Sequence, residues 1–424
     1  MNEVIEPSAI RQAEVITVGT ELLLGQTVNT NAAQLGLFLS ELGISVYRMS
    51  VVGDNKGRLS EAISQAMSRV DLVILCGGLG PTDDDITMQV AATVAGHRLV
   101  RNDAVWETIQ SHFTARGFSV PEKNVKQAML PAGQTVLENK NGTAPGAIIE
   151  GKSAGRTVYL VLLPGPPDEL TPMFENAVRP WLEARTEDRF EHRYIRLAGI
   201  GESAAEAAIA DLIEKQSAVT IAPYASVGQV YLRVSQRKPR QDTDDTDLRS
   251  VVAQIRARLG EYIYEIGPRD LPEVVHDLLK QKNMTIALAE SITGGQLSAE
   301  LTRFPGSSAV FMGGVVCYSN ASKIRDVGVD AAVLSEHGAV SAIAAKQLAE
   351  GVKARFDVSV GLSVTGLAGP GKGQESAEIG TCYIGLAIDG QDTAVHCYKS
   401  WGSREKLTRR VVIHALMHLW EALR

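Results

Sequence analysis

At 424 residues and 45% hydrophobic content, the chain has room for roughly two or three domains with ordinary apolar cores. Its formal net charge of -7 argues against a general binder of nucleic acid or of anionic membrane, and no apolar run reaches the ~18 residues of a membrane span. The four cysteines (Cys76, Cys317, Cys382, Cys397) form no CxxC pair and residues 1–13 lack the basic-then-apolar layout of a signal peptide, so a cytoplasmic protein with reduced thiols is expected.

From the N-terminus, residues 14–18 read as a strand broken by Gly19-Thr20-Glu21. A polar-ended loop follows and reaches Asn29-Thr30-Asn31. Residues 31–42 place Leu35, Leu39 and Leu42 on one helical face and stop at Gly43. Strand is predicted over 44–52, helix over 57–69, and strand again over 71–76. That third strand is nearly all apolar, as strands inside parallel sheets are. The alternation argues for a doubly wound α/β layer.

The third strand runs into Gly77-Gly78-Leu79-Gly80-Pro81-Thr82-Asp83-Asp84-Asp85. Glycines at the carboxyl end of a parallel strand let a ligand approach the backbone. The aspartates can cap the following helix. They can also serve as partial ligands of a hard divalent cation bridging phosphate oxygens. Asn139-Lys140-Asn141-Gly142-Thr143 forms a polar loop before a strand at 147–150. A strand at 157–163 enters Pro164-Gly165-Pro166-Pro167, and a helix is predicted over 169–184.

These motifs together resemble the competence/damage-inducible protein A (CinA) family, with a molybdopterin-binding-like fold over residues 1–188. The carriers are Gly19-Thr20-Glu21-Leu22-Leu23, Asn29-Thr30-Asn31, Gly77-Gly78-Leu79-Gly80-Pro81-Thr82 with Asp84-Asp85, and Leu163-Pro164-Gly165-Pro166-Pro167. The resemblance implies a metal-dependent ADP-ribose pyrophosphatase giving AMP and ribose 5-phosphate. It implies Asp84 and Asp85 as catalytic groups, and Glu21, Asp83, Asp84 and Asp85 as the metal set. Asn29, Gly77, Gly78, Gly80, Thr82, Asn141, Thr143 and Gly165 would bind substrate. The cation would be Mg2+ or a transition metal, with K+ as a further candidate. A molybdopterin-binding first domain is the alternative, though true adenylyltransferases of that fold usually carry Thr where Leu79 stands.

Residues 189–268 read as a small α+β unit. Strands are predicted at 194–198, 219–223, 229–236 and 261–266, with an Ala-rich helix to 213 and a helix over 248–259. This piece resembles a KH-type domain, but Gly199 and Gly201 do not make the nucleotide-clamping GxxG loop. A spacer or dimerisation unit is expected, with Gly267-Pro268-Arg269-Asp270 as the linker onward.

Residues 269–424 form the third predicted domain, another α/β layer. A helix over 271–280 precedes a strand at 284–289, which delivers Glu290-Ser291-Ile292-Thr293-Gly294-Gly295 to a helix at 296–303. That is a strand-to-helix turn presenting Ser291, either as a helix cap or as a nucleophile. A strand over 310–319 gives Tyr318 and, five residues on, Lys323. A hydroxyl nucleophile needs a base, no histidine falls in either loop, and a desolvated lysine can serve. His337 reads as a turn residue. A helix over 341–356 and a strand over 358–364 lead to Thr365-Gly366-Leu367-Ala368-Gly369-Pro370, which lacks the P-loop order. Strands at 380–388 and 394–400 follow, and Gly402-Ser403-Arg404 opens the last helix.

This domain resembles the nicotinamide mononucleotide deamidase of CinA proteins. The carriers are Ala289-Glu290-Ser291 with Thr293-Gly294-Gly295, Pro305-Gly306-Ser307-Ser308, Gly313-Gly314-Val315-Val316 with Tyr318, and Thr365-Gly366 with Ala368-Gly369-Pro370. The resemblance implies hydrolysis of nicotinamide mononucleotide to nicotinic acid mononucleotide and ammonia, without a cofactor. Ser291 would be the nucleophile, Lys323 and Tyr318 the proton carriers, and Thr365 with loop N–H groups the oxyanion site. Thr293, Gly294, Gly295, Gly366, Gly369 and Arg404 would contact substrate, Arg404 at the 5′-phosphate. Ile292 stands where Cys is common, and Ser376-Ala377-Glu378 where Pro-Val is usual. The expected partners are these two nucleotides and a second copy of the chain, with no membrane. The family name also suggests a non-catalytic accessory of DNA uptake or recombination, for which the sequence offers no basic stripe.

Overall fold

The computed structural model describes residues 9–369, 371 and 377–424, divided into two compact units: Met1–Glu191 with Gln236–Asp244, and His192–Ser235 with Asp245–Arg424. The architecture is mixed α/β throughout. Among the described residues no helix is long and apolar enough to cross a membrane.

The first unit is built on a six-stranded sheet in the order Ser45–Val52, Gln12–Val18, Leu72–Cys76, Arg156–Leu163, Gly146–Ser153, Thr135–Leu137. The first four strands run parallel, and Gly146–Ser153 runs antiparallel to both of its neighbours. Successive side chains of a strand face opposite sides, and the core divides accordingly. Val15, Leu72 and Ile74 join Leu35, Leu39 and Phe174 on one face. Ile16, Val73 and Leu75 join Leu59, Ile63 and Val90 on the other. Helices on both faces and loops at the carboxyl ends of parallel strands give the crevice where such sheets bind ligands. Gly77 sits at that rim with φ 99°, where a Cβ would lie 2.4 Å from Val18 O.

Some predicted bounds shift for physical reasons. The predicted helix 169–184 is three pieces: Pro167–Met173, a π-helical turn Phe174–Val178, and Arg179–Glu183. Pro172 and Pro180 lack the N–H that a continuous ladder needs. The predicted strand 147–150 extends over Gly146–Ser153, because Ala154 (φ 50°) and Gly155 (φ 80°) form a tight turn back into Arg156–Leu163. The helix Asp103–Thr114 and the 3-10 stretch Glu122–Ala128 carry no motif and were not foreseen.

The second unit holds a five-stranded sheet and most of a four-stranded one. The four-stranded sheet, in the order Val219–Ser226, Gln229–Pro239, Asp188–Leu197, Ile263–Ile266, packs Leu197, Leu232 and Val234 against Ala205, Leu248, Ile255 and Leu259. The five-stranded sheet has the order Phe311–Val316, Ile286–Glu290, Val360–Gly366, Thr381–Ile388, Ala394–Lys399, with the first three parallel. Leu288 and Leu362 pack on one face with the helix residues Val275, Leu279, Val411 and Leu416. Ala287 and Ala289 pack with Ala344, Leu348 and Val352 on the opposite side. His337, predicted in a turn, is the last residue of the helix Ala331–His337, ahead of Gly338.

Candidate active sites

The strand Ile286–Glu290 places Ser291 at the carboxyl edge of the five-stranded sheet. Ser291 N–H donates to Val364 O at 3.0 Å, tying the residue to the neighbouring strand. Lys323 lies one turn into the helix Asn320–Val327, which Ser319 caps by accepting from Ser322 N–H. Helical side chains lean toward the N-terminus, so Lys323 reaches back to the strand end. Its Nζ donates to Ser291 Oγ at 3.1 Å and to Cys317 O at 2.8 Å. Both partners are withdrawn from water: Ser291 is 8% exposed and Lys323 1%. Burial also pushes the neighbouring Cys317 thiol up from its usual range.

A cavity of about 190 Å³ opens beside this pair, lined by Tyr318, Asn320, Thr365, Gly366, Gly369 and Arg404 among others. Thr365 Oγ1 donates to Ala339 O at 2.8 Å. Arg404 Nη1 donates to Tyr318 Oη at 3.3 Å, and Arg404 Nη2 to Gly369 O at 2.5 Å. Tyr318 is well exposed at the rim. Pro370 and Ser376 of the sequence motifs lie outside the described residues.

Thr293, Gly294 and Gly295 are engaged by the protein itself. Gly294 N–H donates to Ser291 O at 3.2 Å. Thr293 Oγ1 and Gly295 N–H donate to Glu290 Oε2, at 2.7 and 3.0 Å. The same carboxylate accepts from Leu297 N–H, Ser298 N–H and Ser298 Oγ–H. Sequence reasoning gave Glu290 no role. The signal was present: a lone acid ending a strand of apolar residues has to find donors once buried.

In the first unit a cavity of about 490 Å³ lies at the carboxyl rim of the sheet. Glu21, Asn29, Gly77, Gly78 and Gly80 line it, as do Asp85, Thr143 and Gly165. Asn29 also has structural duties: its Oδ1 accepts from Ala32 N–H and its Nδ2 donates to Thr17 Oγ1. Thr82, Asp83, Asp84 and Asn141 are not among the lining residues. Thr82 Oγ1 lies 2.5 Å from both Asp84 Oδ1 and Asp85 Oδ2, and Thr82 N–H donates to Asp85 Oδ2 at 2.8 Å. The Thr82 hydroxyl, more than any other cause, holds the Asp84 carboxyl below its usual range. Lys126 Nζ donates to Thr82 O from outside the loop. Asn141 Nδ2 donates to Asp168 O at 2.7 Å, fastening its loop to the start of the helix Pro167–Met173.

Among the described residues no three His, Cys, Asp or Glu side chains converge as a metal site. Asp85 and Glu21 nevertheless share the cavity. One or two carboxylates plus substrate phosphates is the usual donor set of Mg2+, so these residues fit a hard cation that arrives with an anionic ligand. Asn31, named above only as part of a motif, also lines the cavity, as do Gln127 and Glu169, which carried no expectation. Gln127 and Glu169 sit on segments whose approach depends on distant strand pairing.

Three family models match the chain. One described as "Probable molybdopterin binding domain" covers residues 14–184. One described as "Damage-inducible protein CinA KH domain" covers 192–264. One described as "CinA C-terminal domain" covers 268–423. A protein of Dictyoglomus thermophilum described as "CinA-like protein" is 43% identical over 412 residues, 97% of this chain and 99% of that one. One of Kosmotoga olearia with the same description is 42% identical over 412 residues, again 97% and 99%. One of Dictyoglomus turgidum is 44% identical over 380 residues, 90% and 92%.

Proposed function

This chain belongs to the CinA family, and from that premise we propose that it is a bifunctional pyridine-nucleotide salvage hydrolase. One site takes the amide of nicotinamide mononucleotide, the other the pyrophosphate of ADP-ribose. The observation that carries the first activity is the buried Ser291–Lys323 pair, 3.1 Å apart beside a cavity.

Ser291 Oγ attacks the carboxamide carbon while its proton passes to Lys323 Nζ, a lysine serving as base where water is excluded. The C–N bond then breaks, and that proton leaves on ammonia. Water hydrolyses the ester, its proton returning through Lys323 to Ser291, and nicotinic acid mononucleotide departs. N–H groups of the Gly366–Gly369 loop other than that of Leu367, which Thr381 O takes at 3.0 Å, would meet the oxyanion. Thr365, whose proton goes to Ala339 O, steadies that loop. Tyr318 stands at the entrance, and Arg404 meets the 5′-phosphate. The test is ammonia release by the purified protein. Ser291→Ala and Lys323→Met each abolish it while circular dichroism stays native; full turnover by Ser291→Ala rejects the serine mechanism.

The second activity is supported by the glycine-rimmed cavity holding Asp85 and Glu21. These two residues would hold a divalent cation, which when bound supplies positive charge to the pyrophosphate oxygens. Asp85 orients the attacking water; Asp84, outside the cavity, acts only through Thr82, whose hydroxyl both carboxylates share. A P–O bond forms from water to one phosphorus, the bond to the bridging oxygen breaks, and AMP and ribose 5-phosphate separate. Asp85→Ala removes metal-dependent AMP formation, whereas turnover that survives chelation counts against the metal. The match to a molybdopterin-binding domain makes a pterin the rival occupant. Pterin fluorescence copurifying with a protein inert toward ADP-ribose would select it.

A further inference from the structure

The turn after Ser291 is shaped like an anion site and is already filled. Gly294 (φ 59°) and Gly295 (φ 103°) are both left-handed. Consecutive N–H groups in such a turn converge on one side and draw negative charge. Here the charge comes from the chain itself. Glu290 is 1% exposed, and its two oxygens accept five donors from Thr293, Gly295, Leu297 and Ser298. Its carbonyl accepts from Cys317 N–H at 2.8 Å, and Cys317 O in turn takes Lys323 Nζ. Glu290 therefore touches both halves of the reactive pair: the turn that carries the serine, and the strand end that orients the lysine.

We infer that Glu290 is the positioning residue of the Ser291–Lys323 pair. Its carboxylate replaces an external anion, closes the turn and holds Ser291 Oγ within hydrogen-bond reach of Lys323 Nζ. With the N–H groups of Gly295, Leu297 and Ser298 taken, an anionic substrate group has no place in this turn, and the substrate phosphate goes to Arg404 across the cavity. Removing the carboxylate leaves buried donors unpaired, which reopens the turn.

This rests on the serine-amidase reading, so the test includes a readout that needs no nucleotide. Glu290→Gln preserves shape but turns an NH2 group toward N–H donors. It lowers kcat for nicotinamide mononucleotide about 100-fold, as a misplacement near 1 Å does, and leaves KM nearly unchanged. The rate at which a fluorophosphonate labels Ser291 falls in parallel. Ser298→Ala removes one donor and lowers both rates about fivefold, one ordinary hydrogen bond's worth. Glu290→Asp restores part of what Glu290→Gln loses. Folded Glu290→Gln with wild-type kcat and labelling overturns the inference, and so does a change confined to KM. If Glu290→Gln does not fold, Ser298→Ala decides: unchanged kcat and labelling refute the positioning role. If the wild-type protein labels but does not turn over the nucleotide, the amidase reading fails and the labelling comparison still stands.

Discussion

Two glycine-rich turns follow buried parallel strands in this molecule, and they resolve the same electrostatic problem in opposite ways. After Leu72–Cys76, the Gly77–Gly80 backbone lines a cavity of about 490 Å³ and its acidic group, Asp85, faces that space. After Ile286–Glu290, the Gly294–Gly295 turn wraps the strand's own last side chain and leaves Ser291 and Ile292 to line the cavity. On the proposed function, the first turn is left for a ligand and its cation to complete. The second is complete before any ligand arrives. A glycine pattern after a strand thus locates a site without stating its chemistry; the nearest carboxylate, and which way it faces, supplies that.

The largest effect that sharpens the contrast is at the nucleophile. Ser291→Ala lowers deamidation by at least about 1,000-fold, the scale seen when a nucleophile is removed, and leaves ADP-ribose turnover intact, measured as ammonia and AMP from one preparation. Asp85→Ala does the reverse, with a loss of at least about 100-fold in AMP formation, within the several kcal/mol a bound cation contributes. Chelation gives the cleanest separation: it stops AMP formation and leaves ammonia release unaltered. Loss of both activities to chelator breaks the comparison. A smaller effect concerns packing: Leu288→Ala, at a fully buried position, costs about 2–5 kcal/mol by chemical denaturation.

The smallest expected effect is acid sensitivity of the second unit. Burial, ahead of nearby charge, lowers His414 to about 4, and burial with Arg233 lowers His192 to about 4. A histidine whose folded value lies below its unfolded value stabilises the fold above pH ~6.5, and that stability drains as pH falls toward ~4. After discounting for partial exposure, each contributes on the order of 1 kcal/mol. The melting temperature therefore falls between pH 7 and 4.5, and His414→Gln flattens that slope; an unchanged slope removes this histidine from the account.

Much of this was legible in the residues. Apolar runs gave the strands at 71–76 and 284–289, and their glycine exits marked both rims. Local pattern could not show that Lys323 sits inside a helix capped by Ser319, which is what turns the amine back to Ser291. Nor could it show that Asp83 and Asp84 stand outside the cavity while Asp85 lines it, because a three-residue acidic run says nothing about the direction of each carboxylate. The helix Asp103–Thr114 carries no motif, and the role of Gln127 went unseen because its side chain reaches back to Leu79 O, far along the chain.

Arg404 spans the rim from Tyr318 Oη to Gly369 O. On the proposed function, a phosphate reaching this rim meets a guanidinium with two of its five N–H donors already committed. Its contribution to affinity is thus the difference between two sets of partners, not the full strength of a charge pair. On that reading a nucleoside lacking the phosphate leaves both bonds in place, and discrimination between nucleotide and nucleoside would begin at Arg404, ahead of any chemistry at the serine.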